Sequence, residues 1–254
     1  MTPEFLAVPP RQSRPRTRGI THVLDKGLTP LATESLLAQC GHLIDIVKVG
    51  WGIGYVDPTL RERVAKYRAA GIEVGLGGTL VEVCAAQGRI DELATWAISC
   101  GVTVLEVSNG LERLDRQAKT ALIGRLSEHF IIAAEVGAKD ANSPVVTSEW
   151  LADMHADLEA GAQWLVTEGR ESGTVGIYSH DGSVRDDLIS AIADQLPIER
   201  VIFEAPNKSQ QTWFIKAVGS EVNLGNIAPD EVLPLETLRL GLRADTALSE
   251  RMPT

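Results

Sequence analysis

Short apolar runs of five or six residues recur along the chain, each followed by a longer stretch with helical spacing of apolar positions. The runs fall near 21–25, 45–49, 72–77, 103–108, 131–136, 164–168, 200–205 and 221–225. They are rich in Val, Ile and Leu and apolar at successive positions, which predicts parallel strands buried on both faces. The intervening stretches predict helices over 31–42, 58–70, 88–100, 114–129, 148–160, 184–195, 209–217 and 232–242. Asp57-Pro58 has the form of an N-cap followed by a first-turn proline, and Ser148 precedes another helix. Gly71, Gly101 and Gly161 stand where helices should stop. Eight strand–helix units imply right-handed βαβ crossovers. They favour a single (β/α)8 TIM barrel. A doubly wound open sheet is the alternative. It would normally carry a glycine-rich phosphate turn after its first strand, where this chain has Asp25-Lys26-Gly27-Leu28.

At 254 residues the chain has the size of one such barrel. We divide it into an extended N-terminal arm (1–18), the barrel catalytic domain (19–247) and a C-terminal tail (248–254). The arm carries Pro3, Pro9, Pro10 and Pro15 among Arg11, Arg14, Arg16 and Arg18, so neither strand nor helix is expected there. A free tail, packing against a neighbouring subunit, or a wall of the site are its three readings. The net charge of −10 argues against general nucleic-acid binding. Cys40, Cys84 and Cys100 have no metal-type spacing and lie in apolar helical stretches. They read as buried reduced thiols, in keeping with a cytoplasmic location. No apolar run approaches the ~18 residues of a membrane span, and no signal-peptide core is visible at the N-terminus. Apolar helix faces bearing Trp96, Trp150 and Trp213 permit a homo-oligomer but equally fit packing onto a barrel.

The strand ends carry the chemistry. Alternation along a strand sends one set of side chains to the helix layer and the other into the barrel. An unpaired carboxylate is expensive in the apolar helix layer, so Glu106, Glu135, Glu168 and Glu204 should face inward, as should Lys48. Asp25 adds a fifth carboxylate at the rim, and Lys26, Lys139 and Arg170 bring positive charge nearby. A structural ion-pair network filling the barrel mouth is one reading. The other is a hard divalent cation, for which Mg²⁺ and its preference for carboxylate oxygens are the natural choice. The turns Gly77-Gly78-Thr79 and Gly225-Asn226, together with Arg170 between Gly169 and Gly173, could receive an anion.

Several longer strings go beyond a generic barrel pattern. They are Pro15-Arg16-Thr17, Asp25-Lys26-Gly27-Leu28, Lys48-Val49-Gly50-Trp51-Gly52, Gly77-Gly78-Thr79-Leu80, Glu135-Val136-Gly137 and Glu168-Gly169-Arg170-Glu171-Ser172-Gly173. Phe203-Glu204-Ala205-Pro206, Gln210-Gln211, Val222-Asn223-Leu224, Gly225-Asn226-Ile227 and Leu235-Glu236-Thr237-Leu238-Arg239 follow. Over about residues 14 to 246 the chain resembles the phosphosulfolactate synthase family, which also includes heat-stress-associated plant relatives. The resemblance implies a (β/α)8 barrel that adds sulfite to phosphoenolpyruvate with Mg²⁺, giving (2R)-phospho-3-sulfolactate on a route to coenzyme M. It makes Glu106, Glu135, Glu168 and Glu204 metal-ligand candidates, two or three of them binding directly. It makes Lys139 the candidate proton donor, a lysine whose pKa would be lowered in a crowded cationic pocket. Lys26 and Lys48 are the alternatives as acid. Arg170, Asp25, Gly77, Gly78 and Ser108 are candidates for substrate binding, with Asn223 and Asn226 orienting phosphate. Three departures from the family pattern stand out: Ile53-Gly54 replaces a Thr-Ser pair, Asn109 replaces an aspartate, and Ala138 stands where a basic residue is common. Loss of the two hydroxyls motivates a second reading, a barrel that adds another nucleophile to phosphoenolpyruvate. A non-catalytic, stress-related barrel is the third.

Overall fold

The structure is a computed structural model and describes residues 5–111, 114–140 and 143–247. Eight parallel strands close on themselves in sequence order, with β1 hydrogen-bonded to both β2 and β8. The strands are β1 (Thr21–Asp25), β2 (Ile46–Val49), β3 (Glu73–Leu76), β4 (Val104–Val107), β5 (Ile131–Val136), β6 (Trp164–Thr167), β7 (Val201–Glu204) and β8 (Leu224–Ile227). The helices are α1 (Pro30–Cys40), α2 (Ile53–Val56), α3 (Leu60–Ala69), α4 (Gly78–Ala86), α5 (Ile90–Ser99), α6 (Arg116–Leu126), α7 (Thr147–Glu159), α8 (Asp186–Gln195), α9 (Lys208–Ala217) and α10 (Val232–Arg239). The fold is therefore a (β/α)8 TIM barrel.

Local chemistry sets many of the boundaries. Thr29 caps α1 ahead of Pro30, Asp115 caps α6, and Asn207 with Gln210 forms a capping box on α9. Gly71, Gly101 and Gly161 take positive φ just beyond α3, α5 and α7, as expected of helix stops. Four expectations need correction. Strand 8 covers 224–227 and not 221–225. The stretch following β3 forms its own helix, α4, before α5 begins. Ser148 is not a cap, because α7 starts at Thr147 after Val146. Asp57 likewise ends up engaged elsewhere: its carboxylate accepts from Thr59 and pairs with Arg63 on α3.

The outer apolar layer is one continuous core that includes Val47, Val49, Leu105, Val107, Ala134, Val136 and Phe203. A smaller cluster fills the lower lumen with Ile20, Ile46, Val104, Ala133, Val166 and Ile202. Two residues further along five of these strands stand Lys48, Glu106, Glu135, Glu168 and Glu204, so alternation carries all five into the upper lumen. The barrel is thus closed by hydrocarbon at its base and charged at its mouth.

The N-terminal arm forms part of that base. Arg14 donates to the carbonyls of Ile44 and Ala70, at 2.9 Å each, just ahead of β2 and β3. Arg16 pairs with Asp45 at 3.1 Å and Arg11 with Glu236 at 3.0 Å. Residues 11–16 therefore bind their own barrel at the end opposite the charged mouth. This stretch of the arm is neither free nor a wall of the site. The 248–254 tail lies outside the described residues. No helix among the described residues is long and apolar enough to cross a membrane.

Candidate active site

At the C-terminal ends of the strands the lumen opens into a cavity of about 250 Å³. Its floor is built on Lys48. The ammonium group is buried and donates to Glu106 Oε2 at 2.9 Å and Glu204 Oε1 at 2.8 Å. The far oxygens of these two acids are held by backbone. Gly78, at the start of α4, donates to Glu106 Oε1 at 2.8 Å. Gly169 and Arg170 donate to Glu204 Oε2 at 2.9 and 3.0 Å. Glycine is needed at 78, because a Cβ there would lie 2.7 Å from Ser108 Cβ.

Glu135 is held more loosely. Its Oε2 lies 3.3 Å from Lys139 Nζ, yet among the described residues no hydrogen bond of good geometry reaches that oxygen. Glu168 Oε2 and Asn226 Oδ1 are also buried without a partner among the described residues. The three non-glycine residues with positive φ in the described chain are Trp51 (49°), Arg170 (57°) and Asn226 (54°), and all three line this cavity. Local strain held at a polar cleft is a mark of functional sites. Arg170 presents its guanidinium at the exposed rim, with one donor on the Lys139 carbonyl at 3.3 Å.

The electrostatics follow from crowding. Five carboxylates (Glu106, Glu135, Glu168, Glu171, Glu204) and three cations (Lys48, Lys139, Arg170) line the cavity. Burial, reinforced by Glu135 and Glu204, raises the pKa of Glu168 well above the ordinary carboxylate range. Glu204 is raised by burial in the same direction, with Lys48 opposing. Burial pulls the Lys139 ammonium down, but the fields of Glu135, Glu168, Glu82 and Glu106 outweigh it and hold Lys139 above the usual lysine range. Lys48 is raised in the same way by Glu106, Glu204 and Glu135 against its own burial. The expected depressed lysine is therefore corrected, because the neighbours of Lys139 are anions and not cations.

The site gathers most of the residues proposed from sequence. Lys48, Gly77, Gly78, Glu106, Glu135, Lys139, Glu168, Arg170, Glu204 and Asn226 all line the cavity. Four do not. Asp25 faces the helix layer, since Val23 and Asp25 share the face opposite Leu24; it is fully buried against Arg63 and Tyr67. The helix layer tolerates this carboxylate because α3 supplies a buried arginine to meet it. Lys26 is exposed in the loop after β1 and away from the cavity lining. Ser108 is buried with its hydroxyl donated to Glu82. Asn223 lies at the opposite end of the barrel, accepting from Ile20 N–H and donating to the carbonyls of Glu199 and Val201. The later start of β8 put Asn223 below the strand and Asn226 at its top. Among residues not proposed from sequence, Trp51, Thr79, Leu111 and Glu171 line the cavity, and Glu82 lies behind it. A lone acid in the apolar run Leu80-Val81-Glu82-Val83 was the available signal for Glu82.

The structure also places the three family departures. Ile53 packs against the outer apolar core, and a Cβ on Gly54 would meet Leu76, Leu60 and Trp96. Asn109 exchanges hydrogen bonds with the backbone of Leu114. Ala138 lines a smaller neighbouring cavity with Asp140, Trp150 and Tyr178. None of the four residues present at these positions lines the main cavity.

A charged cleft at the C-terminal rim of a closed parallel barrel, bearing paired acids and lysines, defines a TIM-barrel enzyme site. Comparison with known proteins narrows the class. A model of the (2R)-phospho-3-sulfolactate synthase family matches residues 9–245. The phosphosulfolactate synthase of Methanothermobacter thermautotrophicus is 41% identical, covering 96% of both chains. That of Bacillus subtilis is 40% identical over 95% of this chain and 97% of its own. Among solved structures, the YdjI aldolase of Escherichia coli superposes with a TM-score of 0.55 at 13% identity, covering 92% of this chain and 88% of that one; it shares the fold alone. The chain belongs to the phosphosulfolactate synthase family, enzymes that form a C–S bond.

Proposed function

We propose that the protein catalyses addition of sulfite to phosphoenolpyruvate, giving (2R)-phospho-3-sulfolactate. Family membership over nearly the whole chain supports this reading. The observation that carries the chemistry is the cluster of Glu106, Glu135 and Glu204, each offering an oxygen within 4.8 Å of the others, beside Lys139. Acids outnumber cations in the lining, a balance that opposes an anionic substrate. The same all-oxygen set, in which Glu135 Oε2 has no well-formed hydrogen bond among the described residues although Lys139 Nζ lies 3.3 Å away, suits a hard divalent cation such as Mg²⁺. Glu106, Glu135 and Glu204 would hold that ion, and Glu168 stands at the edge of the group. When bound, the ion supplies positive charge beside the carboxylate oxygens of the substrate as electron density moves onto them.

The remaining steps belong to the chain's own residues. Arg170 at the rim and the amide of Asn226 bind and orient the substrate's phosphate. The sulfite sulfur lone pair forms the new bond to C3, and the C2–C3 π electrons move into the substrate carboxylate. Lys139 then delivers its Nζ proton to C2, and the electron pair returns to form the C2–H bond. The direction of the Lys139 shift fits a group that is protonated before substrate arrives. Lys48, fixed between two acids, holds the carboxylates of Glu106 and Glu204 in place. We place the reaction in the cytoplasm, where three unbridged cysteines remain reduced.

The test is direct. Phosphoenolpyruvate, sulfite, Mg²⁺ and protein should give a new phosphomonoester resonance in phosphorus NMR. Its formation should stop with chelator, resume with added Mg²⁺, and fail in Lys139→Ala. Absence of product with millimolar substrates and folded protein would sink the reading.

A further inference from the structure

Glu82 lies on α4 behind the cavity wall, at 2% exposure, and does not line the cavity. The side chains around it on the same helix, Leu80 and Val81, are packed into the outer apolar core. A carboxylate in that position needs partners, and it has four. Its Oε1 accepts from the Ser108 hydroxyl at 2.5 Å, from Gly110 N–H at 3.2 Å and from Lys139 Nζ at 3.3 Å. Its Oε2 accepts from Leu111 N–H at 2.8 Å. One carboxylate therefore clasps the loop 108–111 after β4 and the ammonium group of the lysine after β5.

The clasped loop is the bed on which Lys139 lies. Lys139 N–H donates to the Gly110 carbonyl at 3.3 Å. A Cβ on Gly110 would stand 2.6 Å from Lys139 Cδ, 2.7 Å from Cγ and 2.8 Å from Cε. The lysine stem thus runs across a surface that only glycine leaves free, and Glu82 fixes that surface through two backbone N–H groups. The same helix carries Gly78, whose N–H holds Glu106. Helix α4 therefore couples the lysine to the acid cluster.

We propose that Glu82 is a positioning residue: by clasping the 108–111 loop and pairing with the ammonium, it fixes Lys139 Nζ over Glu135. The proposal rests on Lys139 being the proton donor only where turnover is concerned; the placement of the lysine can be measured without turnover. A solvated lysine reacts readily with an acylating reagent, and a lysine tied between carboxylates reacts slowly.

The experiment compares parent protein with Glu82→Gln by trace acylation with acetic anhydride, reading Lys139 against exposed Lys26 by peptide mass spectrometry, alongside steady-state kinetics. In Glu82→Gln the Lys139:Lys26 ratio should rise about fivefold or more, while kcat falls roughly tenfold to a hundredfold with KM for phosphoenolpyruvate changed by less than about threefold, because an orientation has been lost and not a binding contact. A merely structural carboxylate would lower stability without selectively exposing one lysine. If Glu82→Gln does not fold, Gly110→Ala replaces it. Its methyl displaces the lysine stem while leaving Glu82 in place, and the same rise in Lys139 reactivity is expected. An unchanged Lys139:Lys26 ratio in a folded variant overturns the proposal. A raised ratio with unchanged kcat upholds the clasp and instead removes Lys139 as the proton donor.

Discussion

Lys48 and Asp25 show what burial of charge means at single positions. Each is buried in an ion pair, and each pair has one outcome when broken. Lys48→Met leaves Glu106 and Glu204 buried without their cation, so the variant should lose about 3–5 kcal/mol of unfolding free energy in urea titrations and all measurable turnover. Asp25→Asn should also destabilise, by about 1–3 kcal/mol, because Arg63 keeps its pair with Asp57 but loses its fully buried one, yet KM should stay within about twofold of the parent because residue 25 faces away from the cavity. A large rise in KM in the folded Asp25→Asn protein would return Asp25 to the substrate site. The pair also shows why one side-chain rule succeeds and fails. Carboxylates avoid the helix layer unless that layer brings its own cation, and a sequence read strand by strand does not reveal that Arg63, on α3 beyond the next strand, does so.

Helix α4 is the element that binds the site together. It begins on Gly77-Gly78, where the absence of side chains lets the chain turn against Ser108 and lets Gly78 N–H reach Glu106. Gly78→Ala would push a methyl into Ser108 and shift the helix start. We expect kcat/KM to fall about a hundredfold or more, since angstrom-scale displacement of a catalytic group has that effect, with a smaller loss in melting temperature. Full activity in Gly78→Ala would show that the helix start is not part of the machinery. The glycine pair was visible in sequence as a turn, but α4 was not. Its nine residues follow the turn directly, without the loop that the other units place between strand and helix. At the other end of the barrel the Arg-Pro arm looked irregular for the right reason, proline content. Its docking under β2 and β3 depends on carbonyls 30 and 56 residues away.

Across the whole molecule, the lumen changes from hydrocarbon at the base to charge at the mouth, and His22 lies at the boundary. Burial, with Lys48 adding to it, holds the His22 pKa well below 6.5. As pH falls below 6.5, the unfolded chain takes up a proton that the folded chain refuses, so stability declines by up to ~1.4 kcal/mol per pH unit until the folded pKa is reached. His22→Gln removes this contribution. The melting temperature of the parent relative to that variant should therefore fall between pH 7.5 and 5.5, and a pH-independent difference would show that His22 is not buried in neutral form. The eight-unit repeat, the inward direction of Lys48 and of four glutamates, and the parallel order of strands are all consequences of period-two alternation and βαβ handedness, both local properties written along the chain. Barrel closure, which sets β8 beside β1, decided the rest. It fixed the register that lifts Asn226 to the mouth and drops Asn223 to the base, and it brought Glu82 from a helix to a lysine 57 residues away. Contacts between distant segments depend on how many residues each strand contributes before the ring closes, and that count is settled only when all eight strands pack together.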